Sequence, residues 1–156
     1  MSTNTAGFSP TAQFIDSYRH REQFRWRETD SFGVDHFLLE DLYDVWEECR
    51  VPNWDGHQAV PVSRDSLRHT YQLLEVLPSG LPTPSLCAEP CGEVTLEWYA
   101  SPRRLLSVSV SADGELHYAA LLGRKRQYGT EVFQGEFPAT LAQIVREVFR
   151  QEVPRR

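Results

Sequence analysis

Three consecutive segments between Glu93 and Leu122 alternate apolar and polar side chains with a period of two, and no other pattern in the chain constrains its fold as strongly. Val94, Leu96 and Trp98 share one side of the first segment. Leu106, Val108 and Val110 alternate with Ser107, Ser109 and Ser111 in the second; Leu116, Tyr118, Ala120 and Leu122 alternate with His117 and Ala119 in the third. Such alternation belongs to antiparallel strands with one face on a core and the other facing water. Turn residues separate them at Ser101-Pro102-Arg103, Asp113-Gly114 and Gly123-Arg124-Lys125-Arg126. Weaker strands are expected at Ser85 to Glu89, leading into a Pro90-Cys91-Gly92 turn, and at Tyr128 to Phe133.

The same segment also specifies its register. A two-residue Asp113-Gly114 turn would set Val110 opposite His117 and place apolar residues against polar ones. A three-residue Ala112-Asp113-Gly114 loop instead pairs Val110 with Leu116, Val108 with Tyr118 and Leu106 with Ala120, with Gly114 at the left-handed position. A slip of one residue turns a whole strand over, so the three-residue loop is the expected one.

Helices are expected on either side of this sheet. Residues 35–50 place Leu38, Leu42, Val45, Trp46 and Cys49 at helical spacing, with Asp35 as N-cap, and Pro52 ends the helix. Glu40, Asp41, Asp44, Glu47 and Glu48 occupy its other side. Ser63 is a good N-cap for a second helix, stapled by Val62 and Leu67 and buried through Leu67, Thr70, Tyr71, Leu74 and Leu77. Residues 138–150 form a third, starting at Pro138 and burying Leu141, Ile144, Val145, Val148 and Phe149. Near the N-terminus, Arg25-Trp26-Arg27-Glu28 reads as a short strand, and residues 1–12 as a flexible polar tail. The expectation is one α+β domain over residues 13–156: an antiparallel meander of four to six strands with helices packed on its apolar face.

With 156 residues, 40% hydrophobic and 12% aromatic, the chain buries enough surface to fold without disulfide or metal. Three cysteines, Cys49, Cys87 and Cys91, do not make a secreted disulfide scaffold. The N-terminus shows no secretory signal, and no stretch approaches the roughly 18 apolar residues of a membrane span, so a cytoplasmic location without membrane association is expected. A net charge of −6 disfavours nucleic acid as a partner.

Asn53-Trp54-Asp55-Gly56, then Ala59 and Pro61, followed by Glu89-Pro90-Cys91-Gly92-Glu93-Val94-Thr95-Leu96-Glu97-Trp98, resembles a group of small bacterial proteins to which no activity is assigned. Gly129-Thr130 and Phe133, Gly135 and Pro138 extend the likeness, which covers residues 46–150. It departs at Gln58, where a small residue is usual, and at Cys91, where Asp is frequent. The resemblance implies a shared fold and supplies no activity.

Candidate sites must therefore come from the residues themselves. Asp55 and His57 could act as an acid/base pair or as metal ligands, but Asn/Asp/Gly clusters are the usual chemistry of tight turns, with Trp54 plugging the core. The polar sheet face sets Glu97 opposite Ser107, Thr95 opposite Ser109 and Ser109 opposite His117. That assembles Ser109, His117 and Glu97 as weak catalytic candidates with neither an oxyanion hole nor a strained nucleophile turn. Cys87 and Cys91 have a spacing that metal ligands can take, but with Cys49 and His57 they make no CxxC and no defined fourth ligand, and buried free cysteine is common, so no metal is expected. There is no GxGxxG and no GxxxxGK[ST], and no cofactor is expected. The pair Arg103-Arg104 and the basic turn Arg124-Lys125-Arg126 are placed at opposite hairpin ends, a weak anion footprint.

The expected function is accordingly a non-catalytic protein-interaction or regulatory module, accessory, antitoxin- or immunity-like, with another protein as partner. Its expected binding residues are Phe24, Trp26 and Phe32, with the composition of an interface core, together with Trp54, Asp55, Glu40, Asp44 and Glu47. The alternatives are a small-molecule-binding domain around Trp54, Trp98 and Tyr118, and a motif-free hydrolase using His117/Glu97 or Asp55/His57.

Overall fold

The computed structural model of the chain describes residues 36–150. Among these residues the order is α1 (His36–Cys49), α2 (Arg64–Glu75), β1 (Ser85–Ala88), β2 (Val94–Ser101), β3 (Arg104–Val110), β4 (Glu115–Leu122), β5 (Lys125–Val132) and α3 (Ala139–Val148). The five strands form one antiparallel sheet in sequence order, giving an α+β fold. The Asp35 cap, the Trp26 strand and the N-terminal tail lie outside the described residues.

The β3–β4 hairpin takes the register that keeps apolar residues together. Val110 faces Leu116, Val108 faces Tyr118 and Leu106 faces Ala120. Gly114 sits at φ +81°, and the Ser111 N–H donates to the Glu115 carbonyl at 2.9 Å to close the loop. The last hairpin is tighter than its turn residues suggest. Only Gly123 and Arg124 connect Leu122 to Lys125, so β5 begins three residues before Tyr128.

Apolar side chains of sheet and helices form a single core. It contains Leu86, Val94, Leu96, Trp98, Leu106, Val108, Val110 and Leu116 from the strands, Leu38, Leu42 and Val45 from α1, and Leu141, Ile144, Val145 and Val148 from α3. Trp98 is fully buried, with its indole N–H donating to the Pro82 carbonyl at 2.7 Å and its ring edge-on to Phe137. Tyr118 lies across Gly129: a Cβ there would meet the phenol oxygen at 2.7 Å, so the glycine makes room for the ring.

Ser63 caps α2 as expected, its hydroxyl accepting from the N–H groups of Asp65 and Ser66. The buried stripe, however, is rotated from the one read off the spacing. Ser66, Thr70, Leu73 and Leu74 are buried, Leu67 and Leu77 are half-buried, and Tyr71 is 42% exposed. The cause is polar. Ser66 Oγ donates to the Val110 carbonyl at 2.6 Å and accepts from the Val94 N–H at 3.0 Å, bridging the ends of β2 and β3. Two sheet backbone groups thus find partners on the helix, and an apolar side chain at this position would leave them unmet.

Two further expectations are corrected. Asp41 is buried on the inner side of α1 and does not join the solvent-facing acids. Arg103 and Arg124 are not at opposite ends of the sheet. In an up-and-down meander every second turn returns to the same end, and the Gly123 N–H donates to the Arg103 carbonyl at 2.7 Å.

Candidate functional site

Three regions hold the catalytic and binding candidates that fall among the described residues: the polar face of the sheet, the loop after α1, and the outer side of α1.

Strand alternation puts Cys87, Thr95, Ser109, His117 and Thr130 in one rung running from β1 to β5. Glu97 and Ser107 occupy the neighbouring rung. Ser109 and His117 are thus paired across β3 and β4, but no hydrogen bond joins them among the described residues. Ser109 Oγ instead donates to Glu89 Oε1 at 2.7 Å, and Thr95 Oγ1 donates to the same oxygen. The two hydroxyls are also 3.0 Å from each other. His117 turns the other way, with Nδ1 3.0 Å from Thr130 Oγ1 and Nε2 3.5 Å from Glu115 Oε2. A Ser–His–carboxylate relay needs the base on the nucleophile and the acid on the base. Here the carboxylate holds the serine, while His117 is hydrogen-bonded to Thr130 and has Glu115, rather than Glu97, as its nearby carboxylate. The arrangement ties the outer edges of β2 and β3 to the β1–β2 connection.

Glu89 is the residue that sequence reasoning missed. It follows Cys87 by two positions, so continued alternation alone would have set it beside Thr95 on this face. Cys87 is held protonated by the same surroundings: burial, with Glu97 and Glu89 adding to it, pushes its thiol up to about 12.

The loop after α1 is built from backbone hydrogen bonds. Asp55 Oδ1 accepts from the N–H of His57 at 2.7 Å and of Ala59 at 3.0 Å. These N–H groups, that of His57 foremost, hold the Asp55 carboxyl below its ordinary 3.8. Asn53 Oδ1 accepts from the Gln58 N–H at 2.7 Å, and the Trp54 indole N–H donates to the Val60 carbonyl at 3.0 Å. Asn53 and Gln58 both take positive φ, at 60° and 68°. The His57 side chain is exposed and is not hydrogen-bonded to Asp55.

This loop is docked on the Pro90-Cys91-Gly92 turn. The Val60 N–H donates to the Pro90 carbonyl at 2.8 Å, and the Ser63 N–H to the Gly92 carbonyl at 2.9 Å. Gly92, at φ +91°, would place a Cβ 2.7 Å from the Pro61 carbonyl oxygen. The NWDG…A-x-P segment and the EP-x-G segment are therefore two sides of one backbone contact. Asn53, Asp55 and Gly92 each have a structural role in that contact or in the loop that makes it.

On the outer side of α1, Glu40, Asp44 and Glu47 are exposed, as sequence spacing expects. Tyr43 is 62% exposed and Phe37 51%. His36, Leu39, Glu40, Tyr43 and Asp44 line a hollow of about 370 Å³. Glu40 pairs with His36 at 3.0 Å and Glu47 with Arg50 at 3.2 Å, while Asp44 has no ion pair among the described residues. Trp46, half-buried on the same helix, carries the Arg64 guanidinium 5.9 Å from its ring centre. Phe24, Trp26 and Phe32 lie outside the described residues.

Cys49 is buried in the core, where burial and the adjacent Glu48 push its thiol up to about 11, and Cys91 is exposed. Among the described residues no group of three or more His, Cys, Asp or Glu is placed to hold a metal ion, and no helix is long and apolar enough to cross a membrane. Comparison with protein families, with curated proteins and with solved structures finds no match to this chain.

Proposed function

We propose that this chain is a non-catalytic interaction or regulatory module that binds a partner protein with a basic surface through the outer side of α1. The observation that carries this reading is the hollow on α1 where the exposed Tyr43 sits with Glu40 and Asp44, while Phe37 and Glu47 are exposed elsewhere on the same helix. An exposed aromatic side chain with a polar rim is the composition of an interface hot spot, and the Asp44 carboxylate, which has no ion pair among the described residues, orients a partner of opposite sign. The engagement of Ser109 by Glu89, and of Asp55 by backbone N–H groups, supports the same reading, because both leave the hydrolase candidates occupied in holding the fold. Trp98, with its indole N–H bonded to Pro82, offers no surface to a small ligand.

The test is co-purification from the native host with the chain and its Tyr43→Ala/Asp44→Arg variant. The wild-type chain should recover one partner at fixed stoichiometry, and the double variant should lose it at unchanged melting temperature. Loss of the partner on replacing His117 and Asp55, with α1 variants still binding, would overturn the assignment.

A further inference from the structure

We propose that the cavity between the two hairpin turns at one end of the sheet binds a phosphate-bearing small molecule. The site is distinct from the protein-binding face on α1. The Pro102-Arg103 turn of β2–β3 and the Gly123-Arg124 turn of β4–β5 lie side by side, fixed by the Gly123 to Arg103 backbone hydrogen bond of 2.7 Å. Between them is a cavity of about 450 Å³ lined by Arg103, Leu121, Gly123, Arg124 and Arg126.

Three of these five residues are arginines, and none of the three has an ion pair among the described residues, whereas Arg50 and Arg68 elsewhere pair with Glu47 and Asp65. In a chain of net charge −6, three uncompensated guanidinium groups on one concavity are a concentrated exception. Their mutual repulsion is relieved by an anion of two or more charges. The planar guanidinium fork matches phosphate oxygens in pairs, which suits phosphate better than halide or a lone carboxylate. The volume falls within the range of small-molecule sites and exceeds what one inorganic phosphate fills, and Leu121 supplies an apolar wall for the rest of the ligand. The turns are short and tied to the sheet, so the guanidinium groups start from a fixed backbone.

The experiment is calorimetric titration of the full chain with inorganic pyrophosphate at low ionic strength, repeated with an Arg103→Gln/Arg124→Gln/Arg126→Gln variant and with Arg64→Gln as a control. The expected results are saturable one-to-one binding, a loss of affinity of about tenfold or more in the triple variant, and no change in the control. All three side chains are solvent-exposed, so the triple variant should melt where the wild type does. Absence of binding to the wild type at millimolar pyrophosphate, or equal binding by the triple variant, overturns the proposal. Binding of a single-stranded RNA oligomer far tighter than pyrophosphate, with a salt dependence that reports more than three phosphate contacts, overturns it in favour of a nucleic-acid surface.

Discussion

Replacing Ser66 by Ala should cost far more than removal of an ordinary surface hydroxyl. Its Oγ has two partners, the Val110 carbonyl at 2.6 Å and the Val94 N–H at 3.0 Å, and both valines and Ser66 itself are completely buried. Each hydrogen bond contributes about 1 kcal/mol net, and each buried backbone group left unmet costs about 1–3 kcal/mol. Water cannot enter a site sized for one hydroxyl, so the penalties fall on both groups. A loss of about 3–4 kcal/mol follows, or a fall in Tm of about 10 °C for a domain of this size. Ser63→Ala is the internal control. It removes an N-cap from the same helix, and its bonds, at 3.2 and 3.3 Å, are longer than those of Ser66, so about 1 kcal/mol is expected. Urea unfolding of the two variants, compared at equal slope, gives both numbers. If Ser66→Ala costs no more than Ser63→Ala, the polar bridge does not hold α2 to the sheet and the explanation of its rotated stripe is wrong.

Three other outcomes are expected. Gly92→Ala combines a left-handed φ of +91° with a Cβ 2.7 Å from the Pro61 carbonyl, a backbone atom that cannot swing aside; it should lower stability by about 2–4 kcal/mol in thermal melts, and a loss below about 0.5 kcal/mol would contradict the docking of the two motif segments. Ellman's reagent at about pH 8 should titrate Cys91 alone in the native protein and all three thiols in denaturant, because burial pushes Cys87 and Cys49 up to about 12 and about 11; rapid native labelling of Cys87 would contradict its environment. Asp55 has its carboxyl held below 3.8 in the fold, so its stabilisation is present above that pH and is lost as pH falls through the lower, folded value; the deficit of Asp55→Ala relative to wild type should shrink below pH 3.8, and a deficit of equal size at about pH 2 and at neutrality would refute the turn-forming role.

Local periodicity carried the sheet. Alternation from Val94 to Leu122 and one glycine at the loop specify strand, face and register together, since a one-residue slip of β4 would turn His117 to the core and Leu116 and Tyr118 away from it. Helix positions were equally legible from caps and spacing, but helix rotation was not. Ser66 is buried because it bridges two strand ends, and Asp41 is buried on α1; an apolar count sees neither. The sheet's polar face was readable as a set of residues, since Thr95, Ser109 and His117 follow from register. Which groups bond within it was not, because Glu89 arrives from beyond the end of β1 and takes the serine. The two strands expected between the Arg103 and Arg124 turns already return the chain to the same end of the sheet, so their convergence followed from the meander itself; what the sequence left open is that Arg126, on β5, lines the same cavity.

The interaction reading is tested most directly by hydrogen–deuterium exchange of the chain alone and in complex with the partner that co-purifies with it. Exchange should slow within His36–Cys49, centred on the turn that carries Tyr43 and Asp44, and stay unchanged across β2, β3 and β4. Protection confined to those strands, with α1 exchanging as freely as in the isolated chain, would contradict the assignment of α1 as the docking surface.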